Sequence, residues 1–323
     1  MVTDPVAFTL GPLVVRWYGI LIMLGVFAGA YLAAGLARRK GQDPDRLWEM
    51  LPLVVFTAIA GARLYWAYLS WGTCCANDPW EALRIWHGGI SIHGAIVFGL
   101  LAIWLYTRLN RLRFFRWVDC IVPGMALGQA IGRWGNFTNQ EAFGAPTSRP
   151  WGIYIAPENR PLDYAEFSHF HPTFFYESVF NLANAVLLSW IALRIGRDRR
   201  LRDGDVLWIY LILYGLARFA IETLRTDSLM LGPFKAAHVV SGLTLLAGII
   251  GLAVRRIGWR GDDRRPDPAT AAGDAITTLP AGDDATAAED SRPRPAQPVQ
   301  LVGEPVPAPG GQSRGDEPAA RET

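Results

Sequence analysis

Residues 14–36 read VVRWYGILIMLGVFAGAYLAAGL. A helix needs roughly 20 mainly apolar residues to cross the hydrocarbon of a bilayer. This run meets that length with one charge, Arg16, near its start, where a long side chain snorkels to the interface. Its basic cluster, Arg38, Arg39 and Lys40, follows the apolar stretch. A cleaved signal peptide carries its positive charges in front of such a stretch, so the run reads as a retained span that enters from outside.

Similar runs recur at about 48–69, 91–107, 118–135, 174–194, 205–224 and 237–254. The fourth is interrupted by Pro123 and several glycines. With the N-terminus outside, the inner loops receive Arg38, Arg39, Lys40 and Arg46, then Arg108, Arg111, Arg113 and Arg116. Arg194, Arg197, Arg199, Arg200 and Arg202 follow, and finally Arg255, Arg256 and Arg260. The outer segments, about 70–90, 136–173 and 225–236, carry only scattered basic residues, so the positive-inside rule is met at every loop. The expected fold is an all-α polytopic membrane protein of about seven transmembrane helices, with the N-terminus outside and the C-terminus cytoplasmic.

Composition agrees. The chain is 51% hydrophobic and 19% charged, with a mean hydropathy of +0.17, although a polar tail dilutes that average. Residues 259–323 are rich in Pro, Ala, Asp and Arg and lack apolar periodicity, which predicts a disordered cytoplasmic tail after a membrane domain at 1–258. A net charge of +2 with clustered arginines gives no case for nucleic acid. The three cysteines show neither CxxC nor metal-ligand spacing, and adjacent Cys74 and Cys75 are expected as free thiols.

An ionisable side chain within a span costs about 2.5–3.5 kcal/mol, so each one is a candidate for function. Tyr214, Arg218 and Glu222 recur every four residues on one helical face, with Arg225 soon after. That row serves equally as a structural ion pair or as a ligand site. Arg63 and Asp119 fit packing pairs or helix-end charges. Tyr18 fits an aromatic belt or a pocket lining. In HGGISIHGAIVFG (87–99), His93 sits among small residues that admit close approach and has the pKa range of a general base, whereas His87 fits a role in satisfying backbone carbonyls. GRWGNFTNQEAFG (132–144) ends a greasy run with Arg133, Asn136, Asn139 and Glu141. In the deduced topology these groups share the outer half of the membrane. Paired guanidiniums with amide and carboxylate neighbours suit an anionic, hydroxylated lipid head group. A solute transporter would continue its polar path to the inner face, and a scaffold would not need this glycine spacing.

GRWGNFTNQEAFG matches G-R-x-G-N-F-x-N-x-E-x-x-G, and with RWYGI, GGISIHG, HPTFFYE and YGLARFAIETLR the chain resembles the prolipoprotein diacylglyceryl transferase family over about residues 10–255. The resemblance implies a transferase of the bacterial inner membrane with no metal or organic cofactor. Its substrates would be phosphatidylglycerol and the lipobox cysteine of preprolipoproteins, and its products a thioether and glycerol phosphate. The motifs carry over Tyr18, His93, Arg133, Asn136, Glu141, Gly144, Tyr214, Arg218 and Glu222. The expected chemistry rests on His93, Arg133 and Arg218, with Tyr18, Asn136, Asn139, Glu141, Gly144, Tyr214, Glu222 and Arg225 binding substrate. Glu222 or Glu141 is the alternative to His93 as the source of basicity. Phe174 and His238 stand where the family commonly has Gln.

Overall fold

A computed structural model describes residues 4–11, 13–198, 200–226 and 230–257. The expected tail at 259–323 lies outside them. A short hairpin, β1 (Val6–Leu10) with β2 (Leu13–Arg16), leads directly into helix α1 (Trp17–Arg39). The first span therefore begins three residues later than hydropathy suggested, because Val14 and Val15 pair across a strand ladder instead of entering the helix. The β-branched pair favours that pleated surface.

Then come α2 (Asp45–Leu69), a single turn α3 (Trp71–Cys74), α4 (Ile92–Leu109) and α5 (Phe114–Asn139). The segment after α5 carries β3 (Ile153–Tyr154) and β4 (His169–Phe170) around a small core of Phe143, Ile155 and Phe170. After it, α6 (Thr173–Arg194), α7 (Asp205–Glu222), the hairpin β5 (Met230–Leu231)–β6 (Phe234–Lys235) and α8 (Ala236–Ile257) complete the described chain. The protein is mostly helical, and its strands are confined to three two-stranded hairpins among the described residues.

Among the described residues, five helices, α1, α2, α4, α6 and α8, are long and apolar enough to cross a membrane. Helices α5 and α7 each carry three charges, Arg116, Asp119 and Arg133, and Asp205, Arg218 and Glu222 respectively. Those charges converge with their neighbours at the two ends of the bundle.

Helix α5 sits between α1 and α6, while α2 packs on α4 and α7 on α8. The α1–α5 seam is a glycine crossing, in which a Cβ on Gly25 would come within 2.8 Å of the Gly128 carbonyl oxygen. Glycine is what lets the two backbones approach this closely. The run containing Pro123 is one continuous helix of 26 residues, and it extends past 135 to take in Asn136 and Asn139.

Arg63 on α2 is buried and anchors the turn before α4. Its guanidinium donates to the carbonyls of Glu81, Ala82, Gly88 and Gly89 and pairs with the Glu81 carboxylate at 3.5 Å. Packing, the simpler reading of Arg63, describes its surroundings. His87 meets the Glu81 carboxylate at 2.8 Å, so its partner is a side chain and not the backbone carbonyl that was expected. Cys74 and Cys75 are joined by a disulfide, contrary to the expectation of free thiols. Their Cα atoms, as chain neighbours, are 3.8 Å apart, and Cys75 is fully buried where α3 turns beneath the loop.

Candidate functional site

The end of the bundle that contains the start of α1, the end of α5, the start of α6 and the end of α7 gathers the charges. Arg133, near the end of α5, forms an ion pair with Glu177 on α6. Arg218 reaches the same carboxylate at 3.5 Å and pairs with Glu222 at 2.9 Å. Arg225 approaches Glu177 at 3.9 Å. Three guanidiniums from different segments therefore converge on one carboxylate. The Arg218–Glu222 pair follows directly from four-residue spacing on a helix. Convergence with Arg133 and Arg225 is a product of tertiary packing.

Burial is unequal across this cluster. The side chains of Glu177 and Glu222 are 6% and 2% exposed, whereas Arg133 and Arg218 keep 26% and 21%. Carboxylates line the floor and guanidinium edges face outward. Lys235 adds an ammonium that donates to the carbonyls of Glu222 at 2.9 Å and Arg225 at 3.0 Å.

The GRWGNFTNQEAFG segment is placed by both of its halves. Tyr18 lies against Gly135, where any Cβ would strike its ring, and is within reach of the charges of Glu141 and Arg133. Asn136 is half-buried, and its side chain makes no hydrogen bond among the described residues. Asn139 donates to Glu141 at 3.3 Å. The helix then ends at Gln140, whose φ of 51° turns the chain outward, and the Glu141 amide closes onto the Asn136 carbonyl at 3.0 Å. Gly144 bridges to Arg225, and its amide donates to the His171 carbonyl at 2.9 Å. A Cβ there would sit 2.9 Å from His171 Cβ and 3.0 Å from the Leu224 carbonyl, so the welding of this loop to the end of α7 requires glycine. Tyr214 stacks on Tyr210 with 5.7 Å between centroids, and the Tyr210 hydroxyl exchanges hydrogen bonds with the Gln129 side chain.

His93 is not drawn into this cluster. It lies exposed at the start of α4, with its ring 6.3 Å from that of Tyr65, and among the described residues nothing bonds it to the arginines. The reason is packing: α4 lies mainly on α2. Two residues that organise the site were not singled out from sequence. Glu177 ends the HPTFFYE motif and was legible as one more acidic group near the start of a span. Gln140 accepts from the Ala156 amide at 2.7 Å and so ties the α5 terminus to the β3–β4 segment, a role with no local signature.

Phe174 stacks on Phe137 at 5.0 Å and meets Trp134 edge-on at 5.5 Å, which makes an aromatic wall beside the charged floor. The Trp134 indole donates to Ser178 at 3.1 Å, and Ser178 donates to the Ala130 carbonyl at 2.8 Å, stitching α5 to α6 below that wall. His238 packs against Phe219 with 4.5 Å between centroids. Among the described residues, no cluster of His, Cys, Asp or Glu is arranged to hold a metal ion.

This geometry coincides with a family match. The family model for prolipoprotein diacylglyceryl transferase aligns with residues 5–254, which include α1 to α7 and most of α8. The chain belongs to that family. A phosphatidylglycerol–prolipoprotein diacylglyceryl transferase of Trichormus variabilis is 46% identical over 256 residues, covering 78% of this chain and 90% of the relative. The enzyme of the same name from Synechococcus elongatus is 47% identical over 250 residues, covering 77% and 86%. The family match spans GRWGNFTNQEAFG, HPTFFYE and YGLARFAIETLR, the three segments that build the arginine–carboxylate cluster.

Proposed function

We propose that this chain transfers the diacylglyceryl group of phosphatidylglycerol to prolipoproteins, the reaction for which its relatives are named, and that the arginine cluster is where it does so. The observation that carries the site is the meeting of Arg133, Arg218 and Arg225 at Glu177. Guanidiniums bind phosphate oxygens through paired N–H donors, and in a partly buried site such bonds are about twice as strong as neutral ones.

Arg133 and Arg218 bind the phosphodiester. Asn136, Asn139 and Glu141 orient the glycerol hydroxyls, Gly144 lets the head group approach the backbone, and Tyr18 and Tyr214 line the pocket. The lipobox thiol gives up its proton to His93, whose ring nitrogens hold no hydrogen-bond partner among the described residues. The thiolate attacks the glyceryl carbon that bears the phosphate oxygen. A C–S bond forms, the C–O bond breaks, and the electron pair leaves on glycerol phosphate, where the two guanidiniums stabilise it. Glu222 acts through Arg218, which it fixes in place.

The enzyme resides in the bacterial inner membrane. It has seven spans, its N-terminus outside and its site at the outer leaflet, a topology supported by the basic inner loops and by the charges collected at one end of α1, α5, α6 and α7. Residues 259–323 form a cytoplasmic tail separate from the 1–258 catalytic domain.

The test is transfer from labelled phosphatidylglycerol to a lipobox peptide, followed by isolation of the thioether. Full activity in both Arg133→Ala and Arg218→Ala would remove the phosphate assignment. His93→Ala should lower turnover and lose the wild-type pH profile, and normal turnover across pH would move the base elsewhere. Deletion of 259–323 should leave transfer intact.

A further inference from the structure

A cavity borders the arginine cluster without sharing its charge. Phe137, Trp151, Ile153, Phe174, Phe175 and Tyr176 line an open space of about 450 Å³ whose accessible lining is apolar. Cavities of about 300–1,000 Å³ are of the size that holds ligands. The Tyr176 hydroxyl is already engaged, since it accepts from the Trp151 indole at 2.8 Å and meets His171 Nδ1 at 3.1 Å. That bond fixes the indole before any ligand arrives, which lowers the cost of binding. The lining suits an apolar guest, because a polar one would give up its water without gaining a partner.

Position says which guest. Phe137 and Phe174, with ring centroids 5.0 Å apart, belong both to this cavity and to the aromatic wall beside the charged floor. Phe137 lies one turn past Arg133 toward the end of α5, and Phe174, Phe175 and Tyr176 precede Glu177 in the first turn of α6. The cavity is therefore nearer the tip of the bundle than the guanidiniums are. The apolar body of α6 runs the other way, with Val179, Leu182 and Val186 exposed along it. In a lipid whose phosphate is held by Arg133 and Arg218, the acyl chains follow that body into the hydrocarbon. The glycerol hydroxyls of its head group find no partner in the cavity. The remaining substrate is the prolipoprotein.

We propose that the cavity is a specificity pocket for the protein substrate, which takes one large apolar side chain, aliphatic or aromatic, from the segment flanking the acceptor cysteine. Phe175 and Trp151, both about half exposed, are the walls that this side chain covers. The inference rests on the phosphate reading of Arg133 and Arg218.

Steady-state transfer from phosphatidylglycerol to a series of lipobox peptides tests it in the full-length enzyme. Each apolar residue flanking the acceptor cysteine is replaced in turn by serine. With the wild-type enzyme, one replacement should lower kcat/KM for the peptide by about tenfold to a hundredfold. Phe175→Ala should lose a similar factor with the parent peptide, and that same replacement should then cost less than about threefold. Trp151→Ala should behave alike, and it carries the test should Phe175→Ala fail to fold. KM for phosphatidylglycerol should stay within about threefold of wild type in both. Aromatic residues that were merely structural, or that only anchored the helix ends at the lipid interface, would change activity with every peptide by the same factor, and that result overturns the proposal. An effect of Phe175→Ala that follows the acyl-chain length of the lipid instead of the peptide overturns it too. Full activity in both Arg133→Ala and Arg218→Ala would overturn the phosphate reading on which the assignment rests, and it is told apart from a failed pocket by being the same with every peptide.

Discussion

The two ends of the helix bundle solve the problem of buried charge in different ways. At the end formed by the close of α1, the start of α5, the start of α7 and the close of α8, the acids are matched and held by backbone. Asp119 accepts from the Gly204 amide at 2.6 Å, Asp203 pairs with Lys40 at 4.0 Å and Arg116 at 3.6 Å, and Asp205 takes Arg256 at 2.9 Å and the Arg202 amide at 2.9 Å. Asp119 and Asp205 are fully buried, and Gly204 adopts φ 97° to offer its amide. At the other end, three arginines crowd one carboxylate and keep part of their surface open. A closed network locks helix ends together. An open one leaves guanidinium edges of Arg133 and Arg218 exposed. The difference lies in packing and exposure, not in which residues are more polar.

Substitutions at each end should therefore fail in different ways. The largest effect belongs to the open end: Arg218→Ala should lower kcat/KM for diacylglyceryl transfer by about 10²–10³ while the protein remains folded, measured by thioether formation alongside thermal unfolding. Equal losses of activity and folded protein would erase the contrast. Next is Arg63, whose buried guanidinium donates to four carbonyls of the turn before α4. Arg63→Ala should destabilise the protein by about 3–5 kcal/mol, as expected when one partner of a buried charged network is removed.

At the closed end, Asp205→Asn should cost about 1–3 kcal/mol of stability and leave kcat/KM per folded molecule unchanged. A selective loss of activity there would make the closed end functional too. The smallest effect lies in the loop between α3 and α4, where hydrogen bonds from His87 and then Arg84 hold the Glu81 carboxyl below its ordinary pKa. A depressed folded value means that the ionised carboxylate stabilises the fold above the unfolded value of about 4.3, and that this contribution is lost as pH falls through the folded value. Glu81→Gln should flatten the acid limb of the melting temperature and leave it unchanged near neutral pH.

Much of this was legible in the chain itself. Apolar runs of helical length and basic loops marked the helices, and the family's motifs named the chemistry. The four-residue row of Tyr214, Arg218 and Glu222 predicted a real ion pair, because helical spacing alone brings i and i+4 together. Other features were hidden for definite reasons. The first helix starts at Trp17 because Val14 and Val15 found strand partners far enough back in the chain to form a hairpin. His93 stands apart from the arginines because α4 packs on α2, a choice that no local pattern encodes.

By itself, then, the sequence determined which segments are helical, which ends carry charge, and which reaction the family performs, since these depend on local periodicity and on motifs contiguous in the chain. Only the tertiary structure decided that Arg133, Arg218 and Arg225 share Glu177, and that Asp119, Asp203 and Asp205 close the opposite end. Those groupings join residues dozens of positions apart. They exist because glycine seams bring α1 and α5 into backbone contact and the loop at Gly144 is welded to the end of α7. The interaction energy of a charge depends on what packing places within a few ångströms of it.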